Sequence, residues 1–365
     1  MNKAVVAMSG GVDSSVAAAL IKEQGFDCIG VTLKLYETEQ TGAVRAAAVR
    51  GCCSLADVKD AWQAAAKLGI PHYTLNFTEA FDNEVIKRFV DTYESGGTPN
   101  PCIDCNRYIK FSLLLLRARQ LECEFLATGH YARIERDPSG RFLLKKSADQ
   151  KKDQSYVLYC LTQDQLEHTI FPLGSLTKDK VREIAAAHGF INAAKPDSQD
   201  ICFVPGGDYG TFMETYTGRH YPGGDIIDPQ GKVIGRHKGI VRYTLGQRRG
   251  LGVAANVPVY VTAKDMAANT VTLGDESMLL SKTLYADNIN LIACSSLEKP
   301  VRCTVRTRYL QKEKPAVAQQ IGPDKIRVDF DEGQRAVTAG QAAVLYDGDI
   351  VIGGGTICAD PEPLK

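Results

Sequence analysis

The chain has 365 residues, 43 basic and 43 acidic side chains, and a formal net charge of zero. Its length points to about two or three domains, and its ordinary composition excludes a fibrous, low-complexity or disordered chain. With no global basic field, any nucleic acid must be gripped by local patches. No apolar run reaches membrane-spanning length, and the N-terminus opens directly on a core strand. The expectation is a cytoplasmic protein with no signal peptide and no membrane partner. Eleven cysteines in such a chain read as ordinary buried thiols plus a few metal or catalytic ones, not as a disulfide framework.

The first stretch, Lys3–Ser15, reads KAVVAMSGGVDSS. Ala4–Met8 is a short apolar run, predicted as a buried strand. Ser9-Gly10-Gly11 is a tight turn, and Val12–Gln24 is predicted as a helix with a small-residue stripe at Ala17, Ala18 and Ala19. A strand, a glycine turn and a helix N-terminus make an anion site, because backbone N–H groups and the helix dipole converge there. Ser9, Ser14 and Ser15 add hydroxyls, and Asp13 offers a carboxylate for Mg²⁺. The loop has no Lys-Ser/Thr pair after its second glycine, as a Walker A loop would, and no third glycine of a dinucleotide fingerprint. It resembles the SGGxDS loop of the N-type ATP pyrophosphatases, the PP-loop enzymes. That likeness implies a site for the pyrophosphate end of ATP.

Further along, Phe26–Tyr36 is a second predicted strand, and Glu37–Arg50 a loop or weak helix. Ser54 is a plausible N-cap for a helix carrying Leu55, Val58, Trp62, Ala65 and Leu68 on one face. Pro71–Phe77 is a third strand, Glu79–Tyr93 a helix, Ser95–Cys105 a loop, Asn106–Leu121 a helix and Phe125–Gly129 a fourth strand. This alternation predicts a doubly wound parallel sheet, an α/β fold, whose ligands sit beyond the C-terminal strand ends. A hairpin is expected at Asp137–Gly140, helices over Tyr156–Ile170 and Thr177–Ala187, and a loop over Pro196–Pro205. After Gly206 glycine and proline are frequent and strands short. The expected layout is a PP-loop domain over 1–205, a small central β domain over 206–280, and a β-barrel-like domain over 281–365. Strands are predicted at Arg302–Thr307, Ala316–Gln319, Ile326–Phe330 and Ala342–Tyr346, with turns at Asp331–Gly333 and Asp347-Gly348.

Two thiol-bearing loops stand out, Thr98–Asn106 (TPNPCIDCN) and Asp197–Phe203 (DSQDICF). Each is polar and bounded by Pro or Asp, unlike the settings of Cys28, Cys123, Cys160, Cys294, Cys303 and Cys358, which read as core packing. Cys105 just ahead of a predicted helix gains thiolate character from the dipole. Two such thiols suit sulfur chemistry in which one carries a persulfide and the other attacks it.

The ordered set SGGVDSS, TPNPCxxCN, ATGHY, KDQSY, DSxxICF, TLGQRRGLG and TRY is similar to that of the tRNA-specific 2-thiouridylases, over Met8 to Gly354. The resemblance implies a tRNA-uridine 2-sulfurtransferase that adenylates O2 of the wobble uridine with ATP and then delivers sulfur. It implies ATP contacts at Ala7, Met8, Ser9, Gly10, Gly11, Val12, Asp13, Ser14, Leu33 and Gly129. Cys202 would carry the persulfide and Cys105 would be the nucleophile that completes transfer. Asn100, Pro101 and Cys102 would line the target base, and His130, Lys152, Asp153, Gln154, Arg308, Tyr309 and Gln341 would contact tRNA. A cysteine desulfurase or sulfur-relay protein would load Cys202. Some relatives have Asp where this chain has Cys102, so an acid/base role there is in doubt. Further RNA donors are expected at Arg306, Arg242, Gln247, Arg248 and Arg249, since a base buried in the anticodon stack must be drawn out by grip on its backbone.

Three readings stand beside this one. Cys102, Cys105 and Cys202 could ligate an iron–sulfur cluster with one open iron, with Cys52 and Cys53 in a packing or redox role. A PP-loop ligase would join an amine to the activated base, leaving the thiols idle. A noncatalytic tRNA-binding protein would use the cysteines for a structural metal, but it has no need of an α-phosphate site.

Overall fold

Lys3–Ala7 forms the first strand, β1, and its central side chains Ala4, Val5 and Val6 are fully buried. In the computed structural model, which describes residues 2–36, 55–197, 200–253 and 257–359, β1 is the middle of a parallel sheet. Asp27–Lys34 (β2) pairs on one side and Phe125–Thr128 (β4) on the other; His72–Asn76 (β3) lies outside β2, and Thr169–Ile170 outside β4. The chain runs outward from β1 through β2 to β3 and then crosses back to β4 on the other side of β1. The crevice that results lies beyond the C-terminal ends of β1 and β4, where ligands of doubly wound sheets bind.

The helix Val12–Glu23 (α1) packs on this sheet. Ala17, Ala18 and Ala19 are fully buried, and so are Ala61 and Ala65 of Leu55–Leu68 (α2) and Ala185 of the helix Lys178–Ala187. These small residues join Val6, Met8 and Val16 in one core cluster. Side chains this short let helix backbones approach the sheet and each other closely.

The chain divides into two compact units, one of residues 1–86, 101–207 and 348–352, the other of residues 87–100, 208–347 and 353–365. Besides the parallel sheet, the first unit holds the hairpin Ala132–Arg136 and Phe142–Lys146, turning at Asp137–Gly140, with Ile350 paired to Lys145. In the second unit, one sheet has the order Tyr260–Asp265, Thr270–Gly274, Gly224–Ile227, Val233–His237. The other runs through Leu280–Leu291, Lys325–Arg335, Lys314–Gly322, Val301–Arg306 and Ala342–Asp347, and residues 353–358 close it back onto Leu280–Leu291. That pairing closes these strands on themselves, so Leu280–Leu291 has a partner on both sides. Among the described residues no helix is long and apolar enough to cross a membrane.

The structure departs from the sequence expectations at identifiable places. The helix expected over Tyr156–Ile170 is two helices, Ser155–Leu158 and Gln163–Glu167, followed by the edge strand. The first ends at Leu158, and Thr162 starts the second with a capping box to Gln165. The helix Tyr209–Thr217 was not expected, although Asp208 caps it through Thr211 N and Gly218 ends it at φ +66°. Asp331–Gly333 is not a turn: it lies within Lys325–Arg335, where the register against Leu280–Leu291 jumps, and the hairpin turns at Pro323-Asp324 instead. The expectations for Glu37–Arg50, Ser54, Cys52 and Cys53 fall outside the described residues.

Candidate active site

The loop after β1 is shaped by two close approaches. Gly10 has φ +75°, in the left-handed region, and a Cβ there would collide with the Asp57 carbonyl. Gly129, just past β4, lies against the first turn of α1: a Cβ would sit 2.8 Å from both Asp13 C and Ser14 N. Between them the loop is knitted by its own hydroxyls. Ser14 Oγ donates to Gly11 O (2.9 Å) and accepts from Ser9 N (3.1 Å), and Ser15 Oγ donates to Gly11 O (3.2 Å). From outside, Asn192 donates to Gly10 O and Ser15 Oγ, and Thr32 of β2 donates to Met8 O (2.6 Å). Thr32 Oγ spends its proton on Met8 O and so accepts from His72 Nε2 (2.9 Å). The α1 N-terminus thus faces the crevice with a preset loop, suited to an anion.

A cavity of about 340 Å³ opens at this point. Ala7, Met8, Ser9, Asp13, Ser14, Leu33 and Gly129 line it at one side. Of the other expected ATP positions, Gly10 and Gly11 have only backbone to offer, and Val12 is buried in the core cluster. Pro101, Cys102, Cys105 and Cys202 line the same cavity, as do His130 and Gln154. The sequence separates these groups by up to 195 positions (7 to 202), and the fold of one unit brings them together.

The two cysteine segments are held differently from the expectation of two loops. Cys102 and Cys105 are helical: Pro101–Asp104 is the first turn, with Pro at the position where a missing N–H costs nothing. Cys105–Leu114 continues as a π-helix. Cys105 is therefore inside a helix, not ahead of one. It is buried, whereas Cys102 is exposed. Asn106 anchors this turn by donating to Val157 O (2.9 Å). Cys202 is half-buried; Tyr36 OH donates to its carbonyl (2.6 Å), and Phe81 packs between Tyr36 and Phe203. Burial pushes the thiols of Cys28, Cys160 and Cys303 up to about 11, so they stay protonated and inert.

Asp13 does not present a free carboxylate. Lys178 Nζ lies 2.8 Å from both of its oxygens, and Tyr131 OH donates to it at 2.7 Å. A Mg²⁺ on Asp13 does not fit this arrangement. Among the described residues, which include Cys102, Cys105 and Cys202, no three His, Cys, Asp or Glu side chains are grouped to hold a metal ion.

Lys178 and Asp197 form a second link that sequence reasoning missed. Lys178 Nζ also reaches Asp197 (2.7 Å), and Lys152 Nζ pairs with the same carboxylate (2.6 Å). Lys178 is only 7% exposed. A cation at a helix N-terminus is electrostatically misplaced; two carboxylates offset that. Replacing Lys178 by Met takes from Asp13 its cation and from Asp197 one of its two close lysines, and the expected loss is about 2–3 kcal/mol in a denaturant titration, somewhat below the cost for a fully buried pair. Burial tends to raise the Asp197 pKa, but hydrogen bonds from Lys152 and Lys178 outweigh it and the net shift is downward. The stabilisation is complete above the unfolded Asp value of about 3.9 and is lost as pH falls through the lower folded value. The stability gap between wild type and Asp197→Asn is therefore expected to be full at neutral pH and to shrink below about pH 4.

The remaining expected RNA contacts are placed as follows. His130 lines the cavity, with Nδ1 2.7 Å from Thr128 Oγ1; burial, and then the nearby Lys110 charge, keep its pKa well below the usual value, so it is neutral. Asp153 is buried and accepts from Ser147 N and from Ser155, a structural engagement. Gln154 is fixed by accepting from Tyr131 N (2.9 Å). In the other unit, Asn100 ends the segment 87–100, and Gln341 donates to the carbonyls of Thr98 and Pro99. Arg308 donates to Leu245 O, Ala336 O and Thr338 Oγ1, and Tyr309 is half-buried beside the fully exposed Leu310. Two further cations expected for RNA are ion-paired: Arg242 with Asp208 and Glu214, and Arg306 with Glu313.

Three family models match consecutive parts of the chain. A tRNA methyl transferase HUP domain covers residues 2–206, a tRNA methyl transferase PRC-barrel domain 210–275, and an aminomethyltransferase beta-barrel domain 281–357. Curated relatives include the tRNA-specific 2-thiouridylase MnmA of Clostridioides difficile, 50% identical over 359 residues and covering 98% of both chains. That of Acetivibrio thermocellus is 49% identical over 358 residues, covering 97% of this chain and 99% of its own. A 4-thiouridine synthetase–RNA complex with bound ATP matches 56% of this chain and 46% of that one at 20% identity and TM-score 0.35, too slight a likeness to argue from. With half its residues identical along nearly the full length of such relatives, this chain belongs to the tRNA-specific 2-thiouridylase family.

Proposed function

We propose that this protein is an ATP-dependent, cytoplasmic tRNA sulfurtransferase that converts the wobble uridine to 2-thiouridine. The observation that carries the reading is the single cavity lined both by Ser9, Asp13 and Ser14 and by Cys105 and Cys202. Activation at one side and sulfur delivery at the other then need no transfer of the intermediate between sites.

O2 of the uridine attacks the α-phosphate of ATP, and pyrophosphate leaves toward the α1 N-terminus, whose N–H groups and dipole favour negative charge. A cysteine desulfurase or sulfur relay has loaded Cys202 as the persulfide. Its terminal sulfur attacks C2, the C2–O bond breaks, and AMP leaves with that oxygen. The Cys105 thiolate then attacks Sγ of Cys202, breaking the S–S bond to the sulfur now on C2. The product is 2-thiouridine and a Cys105–Cys202 disulfide, which an external dithiol must reduce with two electrons before the next turnover. His130, neutral and set by Thr128, and Gln154, fixed by Tyr131, would orient the extruded base. Lys152, Arg308, Tyr309 and Gln341 are proposed tRNA contacts. Cys102 has no step in this sequence.

The test is incubation with ATP, unmodified tRNA, L-cysteine and a desulfurase, followed by mass analysis of the nucleosides together with pyrophosphate and AMP. The expected result is tRNA-dependent pyrophosphate release, with AMP and 2-thiouridine formed in equal amounts. Pyrophosphate release with an amine on the base would favour the ligase. A methylated nucleoside, or no nucleotide turnover, would overturn the reading outright.

A further inference from the structure

Lys110 lies on no motif discussed above, yet it is the only lysine or arginine among the described residues lining the cavity. Its place there follows from the π-helix Cys105–Leu114. At 3.6 residues per turn a side chain five positions after Cys105 would point well round the helix. The wider i→i+5 winding returns it to nearly the Cys105 face, and both residues line the cavity. The cation is thus at the thiol side, close enough to His130 for its charge to bear on that ring. The other charged groups of the lining are acids, Asp13 and Asp200, and Asp13 is already neutralised by Lys178. His130 is neutral and supplies no charge.

A polyanionic intermediate therefore has two sources of positive potential on offer: the α1 N-terminus for departing pyrophosphate, and Lys110 beside the cysteines. We infer that Lys110 is a catalytic residue of the sulfur-transfer step, binding the α-phosphate of the adenylated uridine and neutralising the charge that AMP carries away. This rests on the adenylation reading above. As the persulfide sulfur bonds to C2, the electron pair of the breaking C2–O bond passes to the phosphate oxygen of AMP, and a fixed ammonium stabilises that charge as it develops. No proton is transferred.

The experiment is a single-turnover rapid quench of persulfide-loaded enzyme with ATP and tRNA, comparing wild type with Lys110→Met, Lys110→Gln and Lys110→Arg. Pyrophosphate and AMP are timed separately, and adenylated nucleotide is sought after nuclease digestion of the tRNA. Lys110→Met and Lys110→Gln should release pyrophosphate at close to the wild-type rate. Their AMP release should slow by about 10²–10³-fold, and adenylated uridine should accumulate. Lys110→Arg should recover most of the lost rate. Equal slowing of both products, or no accumulation in either neutral variant, would assign Lys110 to binding or packing and overturn the inference while leaving the sulfurtransferase reading intact. Absence of tRNA-dependent pyrophosphate release in wild type would instead overturn that reading, and the inference with it.

Discussion

Cys202→Ala and Cys105→Ala should each lose at least about 10³-fold in 2-thiouridine formation while still releasing pyrophosphate in the presence of tRNA. The two should then part company. Without Cys202 no persulfide forms at the site, and no added reductant helps. Without Cys105 the sulfur can still reach C2, leaving the tRNA joined to Cys202 through a disulfide. A small thiol can cleave that bond slowly, so dithiothreitol should partly restore product and release a trapped protein–tRNA adduct. Cys102→Ala should keep most of the activity, because Cys102 is exposed while Cys105 is buried and the Cys202 backbone is held by Tyr36. Gel analysis for the adduct, with nucleoside analysis alongside, checks all three variants. Loss of pyrophosphate release in all of them would mean the cysteines serve activation rather than sulfur delivery.

The second large effect belongs to the glycines that let the loop close. Gly129→Ala places a methyl 2.8 Å from two backbone atoms, Asp13 C and Ser14 N, neither of which can swing aside. The expected cost is about 1–3 kcal/mol of stability from overpacking, with weaker ATP binding as the α1 N-terminus is pushed from the crevice. Gly10→Ala adds to its clash the strain of a left-handed residue, about 1–2 kcal/mol more. Gly25→Ala is the control: its φ is +86° but nothing lies within 4 Å, so it carries strain alone and should leave ATP affinity unchanged. Denaturant midpoints and calorimetric ATP titration separate the three. A Gly129→Ala protein with wild-type stability and ATP affinity would show that the close approach of β4 to α1 is not needed.

Local chemistry made much of this protein legible. The run Ala4–Met8, the turn Ser9–Gly11 and the helix from Val12 are contiguous, and their period and composition dictate strand, turn and helix without help from the rest of the chain. The alternation of strands and helices gave the parallel sheet, and the two polar cysteine segments announced themselves by context. Where local signals conflicted, reading was weaker. Asp331-Glu332-Gly333 looks like a turn by composition, but the partner strand carries pairing on past it and turns it into a register break. The Asp208 cap and Gly218 stop of Tyr209–Thr217 were readable and were outweighed by the surrounding glycines.

Distance in sequence set the other limit. Asp13 reads as a metal carboxylate until Lys178, 165 positions away, takes both its oxygens. Asp197 reads as part of a thiol loop until Lys152 and Lys178 converge on it. Lys110 was invisible because an α-helical count turns it away from Cys105, and only π winding turns it back. The sequence by itself determined the glycine turn, the helix start and the two thiol segments as candidates for the chemistry, since each is a property of a few adjacent residues. Which charges those groups meet was decided by tertiary structure alone, because an ion pair depends on a few ångströms between segments whose separation along the chain carries no trace of it.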